Sequence, residues 1–271
     1  MRRARPNPAC PPTVKGSRDW PDGVSVGKVM SLGVVNDTVE HNTLTEEARQ
    51  KLAKHGFVLG KRLGMGKFAD VYGFEGEPGY ILKLTGDYTE ALAWTTVLSS
   101  SRLAALPNLA HTDCVFEVAG NYKTLFCIVQ EKLAPLSDKM RRFFRGSSRL
   151  VETYAVGNAL GTPDLLEAAL RQFGYPTDGK TEAQLCKMAG EMFVDRGEED
   201  SGLSRRKLRT FLETLKTLAQ HGVSTSDLHG DNIMYDAAND LVKVTDLGLA
   251  RVKGGHLPRL VPNRGKAHGF A

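Results

Sequence analysis

The chain has 271 residues, of which 41% are hydrophobic, 25% charged and 7% aromatic, and its formal net charge is +5. This balance excludes a disordered, collagen-like or coiled-coil chain, and the length suffices for one large domain or two small units sharing a cleft. No run approaches the roughly 20 apolar residues of a membrane-spanning helix, so no membrane partner is expected, and the modest positive charge serves solubility without calling for nucleic acid. Prolines follow Arg2, Arg3 and Arg5 where a secretory signal would place its apolar stretch. Cys10, Cys114, Cys127 and Cys186 lie far apart with no C-x-x-C pair, so neither a disulfide framework nor a zinc site is suggested. Reduced thiols in a cytoplasm are the expectation.

Residues 1–40 form a flexible, basic, Pro/Gly-rich arm that ends in a loosely attached strand within the apolar stretch Val24–Val35. Thr43-Leu44-Thr45-Glu46 reads as a capping box opening a helix to about His55, stopped by Gly56. From Phe57 the pattern becomes short β-like runs separated by glycines: FVLGKRLG, ADVYGFEG and GYILKLT, read as three antiparallel strands. A helix over 87–106 follows, then two strands, TDCVFEV and TLFCIVQEK, joined at Gly120-Asn121. Residues 136–222 read as mostly helical, broken at Gly146, Gly161-Thr162-Pro163, Tyr175-Pro176 and Gly197–Gly202. The clearest helix is Ser204–His221, with Leu208, Phe211, Leu212, Leu215 and Leu218 at helical spacing. NIMYD and LVKVTD form a hairpin around Ala237–Asp240.

Three segments carry chemistry. Leu63-Gly64-Met65-Gly66-Lys67-Phe68-Ala69-Asp70-Val71 is a glycine-rich turn between strands, where backbone amides can approach phosphates and Phe68 can cap the tip. Lys83 interrupts the apolar run Ile81-Leu82-Lys83-Leu84, and a lysine there costs desolvation unless an anion meets it. Glu90, near the start of the next helix, is a candidate partner. Asp227, Asn232 and Asp246, in SDLHGDNIM and VTDLG, are short oxygen-bearing side chains at strand and loop ends, the ligand type Mg²⁺ prefers beside substrate phosphates.

In this order and combination the chain resembles the protein-kinase-like superfamily from about Phe57 to Arg251. GMGKFADV is similar to the family's G-x-G-x-x-G-x-V with Ala69 in place of the third glycine, Lys83 matches its strand lysine, DLHGDN its catalytic-loop spacing and DLG its D-F-G. The resemblance implies an α+β, two-lobed fold: an N-lobe over 41–133 with a five-stranded antiparallel sheet, and a short, mainly helical C-lobe over 134–253 with an insert at about 136–203, before a basic tail at 254–271. It implies ATP and Mg²⁺ as cofactors. Lys83 would hold the α- and β-phosphates and pair with Glu90; Asp227 would accept the acceptor's hydroxyl proton; Asn232 and Asp246 would hold magnesium. Gly64, Gly66, Phe68, Val71, Ile81, Glu131, Leu133 and Met234 would surround the nucleotide, Glu131 and Leu133 through backbone groups and Gln130 at the gate of the back pocket. His229 stands where protein kinases usually carry a lysine and is similar to aminoglycoside- and choline-kinase-like enzymes.

The departures bear on function. Thr225-Ser226-Asp227 replaces His-Arg-Asp, and no Ser, Thr or Tyr lies beyond Thr245, so no activation-loop phosphorylation is expected within this chain. No A-P-E-like segment follows Asp246. The expected function is an ATP- and Mg-dependent phosphotransferase, protein Ser/Thr kinase-like, with the phosphate acceptor open between protein and small molecule. The alternatives are a small-molecule kinase of the aminoglycoside/choline type and a nucleotide-binding pseudokinase.

Overall fold

A computed structural model describes residues 31–35, 37–38, 43–44, 50, 52–53, 57–65, 69–120, 124–160, 167–168, 170–171, 174–224, 228–248 and 251–252. The protein is α+β. In chain order the elements are β1 (Ser31–Val35), β2 (Asp37–Thr38), β3 (Thr43–Leu44), β4 (Leu59–Met65), β5 (Ala69–Phe74), β6 (Tyr80–Thr85), α1 (Tyr88–Leu98), α2 (Ser101–Ala104), β7 (Thr112–Gly120), β8 (Thr124–Glu131) and β9 (Ala134–Pro135). Then come α3 (Asp138–Leu160), α4 (Glu182–Ser201), α5 (Arg205–Gln220), β10 (Val223–Ser224), β11 (Ile233–Asp236), β12 (Leu241–Val244) and β13 (Arg251–Val252).

The five expected antiparallel strands form one sheet in the order β7-β8-β6-β5-β4, and β1 joins its β7 edge in parallel. The strand expected at the end of the arm is thus a sixth member of the sheet. Strand alternation sends Tyr72, Phe74, Leu82, Leu84, Leu125, Cys127 and Val129 to one face, where Leu52 and Phe57 cover them. The opposite face, with Val115, Phe126 and Ile128, packs on Ala91, Trp94 and Val97 of α1. Lys83 shares that second face, being two residues from Ile81 and paired with Val71 and Ile128. Period-2 geometry therefore points the one charged residue of β6 toward α1.

Helix ends follow local chemistry. Asp87 caps α1, accepting from the Thr89 amide at 2.8 Å, and the helix expected over 87–106 is split because Ser100 caps α2 anew. Thr181 and Gln184 form a reciprocal capping box for α4, which ends at Gly202 in the left-handed conformation (φ 77°). The amphipathic α5 buries Leu208, Phe211, Leu212, Leu215 and Leu218, as its periodicity predicts. Each such burial is worth about 1.5–3 kcal/mol.

Three expectations are corrected. Thr43 is no helix cap: it pairs with Thr38 in the short β2–β3 ladder, while Thr45 and Glu46 lie outside the described residues. Gly146 does not break α3, and of the break expected over Gly197–Gly202 only the Gly202 end is found, with Gly197 inside α4. At Gly197 a Cβ would come within 2.7 Å of Leu208 Cδ1 and 2.8 Å of Phe143 Cζ, so the glycine lets α3, α4 and α5 approach closely. Residues 1–30, the expected breaks at Gly161-Thr162-Pro163 and the tail at 254–271 fall outside the described residues. Among the described residues no helix is long and apolar enough to cross a membrane.

Among the described residues, two backbone connections tie the β11–β12 hairpin to the sheet side of the molecule. Three residues beyond Glu131, β9 pairs with β11 to make a small three-stranded sheet, β12-β11-β9. Between α2 and β7, the Val244 amide donates to the Asn108 carbonyl (2.8 Å), the Ala110 amide to the Val244 carbonyl (2.9 Å), and Asn108 Nδ2 to the Val242 carbonyl (2.7 Å). This clamp fixes the strand that delivers Asp246.

Candidate active site

Lys83 is the organising residue. It is 7% exposed, and its Nζ donates to Glu90 Oε1 on α1 and to Asp246 Oδ2 beyond β12, each at 2.5 Å. Burial opposes its charge, but the two carboxylates outweigh it and raise the lysine pKa. Burial against the charged form pushes Glu90 up to about 8 despite the lysine beside it. Asp246 is held below the usual carboxylate range: burial works against it, yet the Lys83 charge and hydrogen bond and the Gly248 amide prevail. That amide donates to Asp246 Oδ1 at 2.7 Å. A Cβ at Gly248 would lie 2.8 Å from the same oxygen and 3.2 Å from Asp87 Oδ2, so any side chain there would push the Asp246 carboxylate aside.

The triad opens into a cleft of about 720 Å³ between the sheet, the end of β8, the loop before β11 and the segment after β12. Leu63, Val71, Ile81, Leu133 and Met234 give it apolar walls, with Gly64 at the β4 end. A Cβ on Gly64 would meet nothing within 4 Å, so no packing inside the protein demands a glycine there. Gln130 Nε2 donates to Thr112 Oγ1 at 3.0 Å, while its buried Oε1 has no partner among the described residues.

The loop before β11 brings His229 and Asn232 to the cleft. The Asp231 amide donates to His229 Nδ1 at 3.2 Å, so Nδ1 is the accepting nitrogen and the proton of neutral His229 resides on Nε2. The Asn232 carbonyl accepts from the Thr245 amide (3.0 Å) and hydroxyl (3.2 Å), which ties the Asn232 loop to the residue preceding Asp246. Among the described residues no group of three or more His, Cys, Asp or Glu is arranged to hold a metal. Asn232 and Asp246 would make a two-ligand site of the kind Mg²⁺ completes with phosphates and water.

Of the residues singled out from sequence, Lys83, Glu90, His229, Gly64, Val71, Ile81, Glu131, Leu133, Met234, Asn232 and Asp246 all line this one cleft. Asp227, Gly66 and Phe68 lie outside the described residues. Sequence reading missed Asp87, whose signal was an Asp directly before a helix that follows the Lys83 strand. It also missed what lies behind Glu131: its carboxylate accepts from the His111 amide (2.6 Å) and from Lys243 Nζ (2.7 Å), and Lys243 also meets Asp236 at 2.8 Å. No protein-family model matches the chain, and no curated protein matches its sequence.

Proposed function

We propose that this protein is an ATP- and Mg²⁺-dependent phosphotransferase of the two-lobed, protein-kinase-like kind, acting on a hydroxyl of a protein substrate. The observation that carries the reading is the buried Lys83, gripped by Glu90 and Asp246 at the wall of an apolar cleft. A lysine kept charged and aimed by two carboxylates is suited to polyphosphate, and the bare Gly64, the apolar walls and the orphaned Gln130 Oε1 suit a nucleotide base and its phosphates.

When bound, Mg²⁺-ATP supplies the transferable phosphoryl group and a metal charge that offsets its oxygens. Lys83 would hold the α- and β-phosphates, with Glu90 fixing its direction. Asn232 and Asp246 would hold the metal, and the Gly248 amide keeps one Asp246 oxygen oriented. Val71, Ile81 and Met234 exclude water from the base, and the backbones of Glu131 and Leu133 would meet its polar edge. Asp227 accepts the proton of the attacking hydroxyl in this scheme. The catalysis is positioning plus electrostatics.

His229 favours a second reading, a small-molecule kinase. Its Nδ1 accepts from the Asp231 amide, and its ring lines the cleft beside the place a phosphoryl oxygen would take. The test is transfer from labelled ATP with Mg²⁺ to a protein mixture and to a panel of amino alcohols, comparing wild type with Asp227→Asn. Label on protein that vanishes in the variant supports the first reading, and label confined to amino alcohols the second. Nucleotide binding without transfer in either protein leaves a pseudokinase, and no binding at millimolar ATP removes all three.

A further inference from the structure

On α4 and α5 many cations are matched: Lys187 with Glu191, Arg196 with Asp200, Arg205 with Asp195, Lys207 with Asp240 and Lys216 with Glu213. The first two turns of α3 differ. Lys139, Arg141, Arg142 and Arg145 follow one another there, and among the described residues only Arg145 has a carboxylate within ion-pair distance, Asp231 at 3.6 Å in an exposed contact. Local stability gives no reason for this arrangement. Cations near a helix N-terminus oppose the macrodipole, and like charges at i, i+4, such as Arg141 and Arg145, repel.

Their location gives a reason. A Cβ at Gly230 would lie 2.8 Å from the Arg141 carbonyl oxygen and 3.1 Å from its Cγ, so α3 is pressed directly against the loop whose His229 and Asp231 line the cleft. Arg141, with no carboxylate in ion-pair distance among the described residues, and Arg145, with only the exposed Asp231, therefore lie beside the loop that lines the cleft and that also carries Asp227 in sequence. Side chains at i, i+4 of a helix have Cβ atoms about 5–6 Å apart, and alternate residues of an extended chain present one face at about 6.5–7 Å. The spacings differ by about 1 Å, which two long arginine side chains can span. Asp138, Glu199 and Asp200 flank the basic residues, which suits two discrete carboxylates better than a continuous phosphodiester track.

We propose that Arg141 and Arg145 receive acidic side chains at alternate positions of an extended peptide acceptor, so that the enzyme selects Ser or Thr sites flanked by Asp or Glu. This rests on the phosphotransferase reading. The test uses the full chain and three peptides that differ only at alternate flanking positions, carrying Glu, Gln or Lys around one Ser. The wild type transfers to the Glu peptide with kcat/KM about tenfold above the Gln peptide, as two part-exposed pairs allow, and the preference shrinks as salt rises.

Arg141→Glu combined with Arg145→Glu inverts the order to favour the Lys peptide, while the KM for ATP moves less than about twofold; activity gained on the Lys peptide itself demonstrates a folded variant. Equal kcat/KM on all three peptides, or an unchanged order in the double variant, overturns the acidic-acceptor proposal and leaves phosphoryl transfer standing. Stronger inhibition by a single-stranded oligonucleotide than by the Glu peptide assigns the face to nucleic acid and overturns it as well. No transfer to any peptide, together with no Mg²⁺-ATP binding by calorimetry, overturns the phosphotransferase reading, and the proposal falls with it.

Discussion

Lys83 and Lys243 each occupy an otherwise apolar strand, in YILKLT and LVKV, and each is met by two carboxylates. Lys83 has Glu90 and Asp246; Lys243 has Glu131 and Asp236. Both lysines are nearly buried, at 7% and 8% exposure. Their surroundings differ. The Lys83 triad forms part of the cleft wall, whereas of the second triad only Glu131 reaches the cleft, and Lys243 and Asp236 lie behind it. The second triad is closed off by its own neighbours, since Asp236 also accepts from the Ala238 amide and from the Asn239 amide and side chain. The same charge arrangement is a binding device where it borders open space and a structural tie, joining β8 to the β11–β12 hairpin, where it does not.

Removing each lysine in turn is the most direct way to break this contrast. Lys83→Met should lower phosphoryl transfer by about 10²–10⁴-fold, the range for a positioning group, while circular dichroism reports a folded protein. A variant that retains full transfer would remove Lys83 from the chemistry. Lys243→Met should instead act on stability: leaving Glu131 and Asp236 without their cation costs about 3 kcal/mol, a fall in Tm of about 5 °C for a chain of this size. The contrast fails if calorimetry finds the Lys83 variant to be the less stable of the two.

Gly248→Ala sharpens the comparison at the open triad, because its Cβ must displace the Asp246 carboxylate. Overpacking of this kind costs about 1–3 kcal/mol, expected as roughly tenfold weaker Mg²⁺-ATP binding by titration calorimetry. The smallest effect concerns acid. Asp236 is held below its ordinary pKa of 3.8, since hydrogen bonds from Lys243 and Asn239 outweigh its desolvation. A carboxyl depressed on folding stabilises above its unfolded pKa, and that stability is lost as pH falls through the folded value. Urea midpoints from pH 5 to pH 2.5 should therefore decline less steeply in Asp236→Asn than in wild type, and parallel slopes would show that Asp236 carries none of the acid sensitivity.

Much of the cleft was legible because its residues sit in local patterns. A lysine in an apolar strand, Gly64 beside a strand turn and Asp246 at a strand end all announce themselves within a few residues. The second triad was not, although LVKV carries the same signal as YILKLT: its partners Glu131 and Asp236 belong to motifs read for other purposes, and nothing local says which carboxylate a buried lysine will meet. Gly146 was misread as a break, and the break over Gly197–Gly202 was drawn to begin too early, for a related reason. A glycine costs a helix only about 0.5–1 kcal/mol, and the contact of Gly197 with Leu208 and Phe143 is invisible until three helices are placed together. The parallel seating of β1 likewise depends on an edge created far along the chain, at β7.

The separation between Lys83 and Asp246 has a consequence for biosynthesis. The two residues are 163 positions apart, and the Asn108 side chain that clamps the intervening strand reaches 134 positions ahead to Val242. At ordinary ribosomal rates of about 5–20 residues per second, Asp246 is made about 8–30 s after Lys83. Over that interval Glu90 is the one triad partner of Lys83 already synthesised, and the wall formed by the β11–β12 hairpin and Asp246 does not yet exist. The cleft can close only once the chain through Asp246 has been translated.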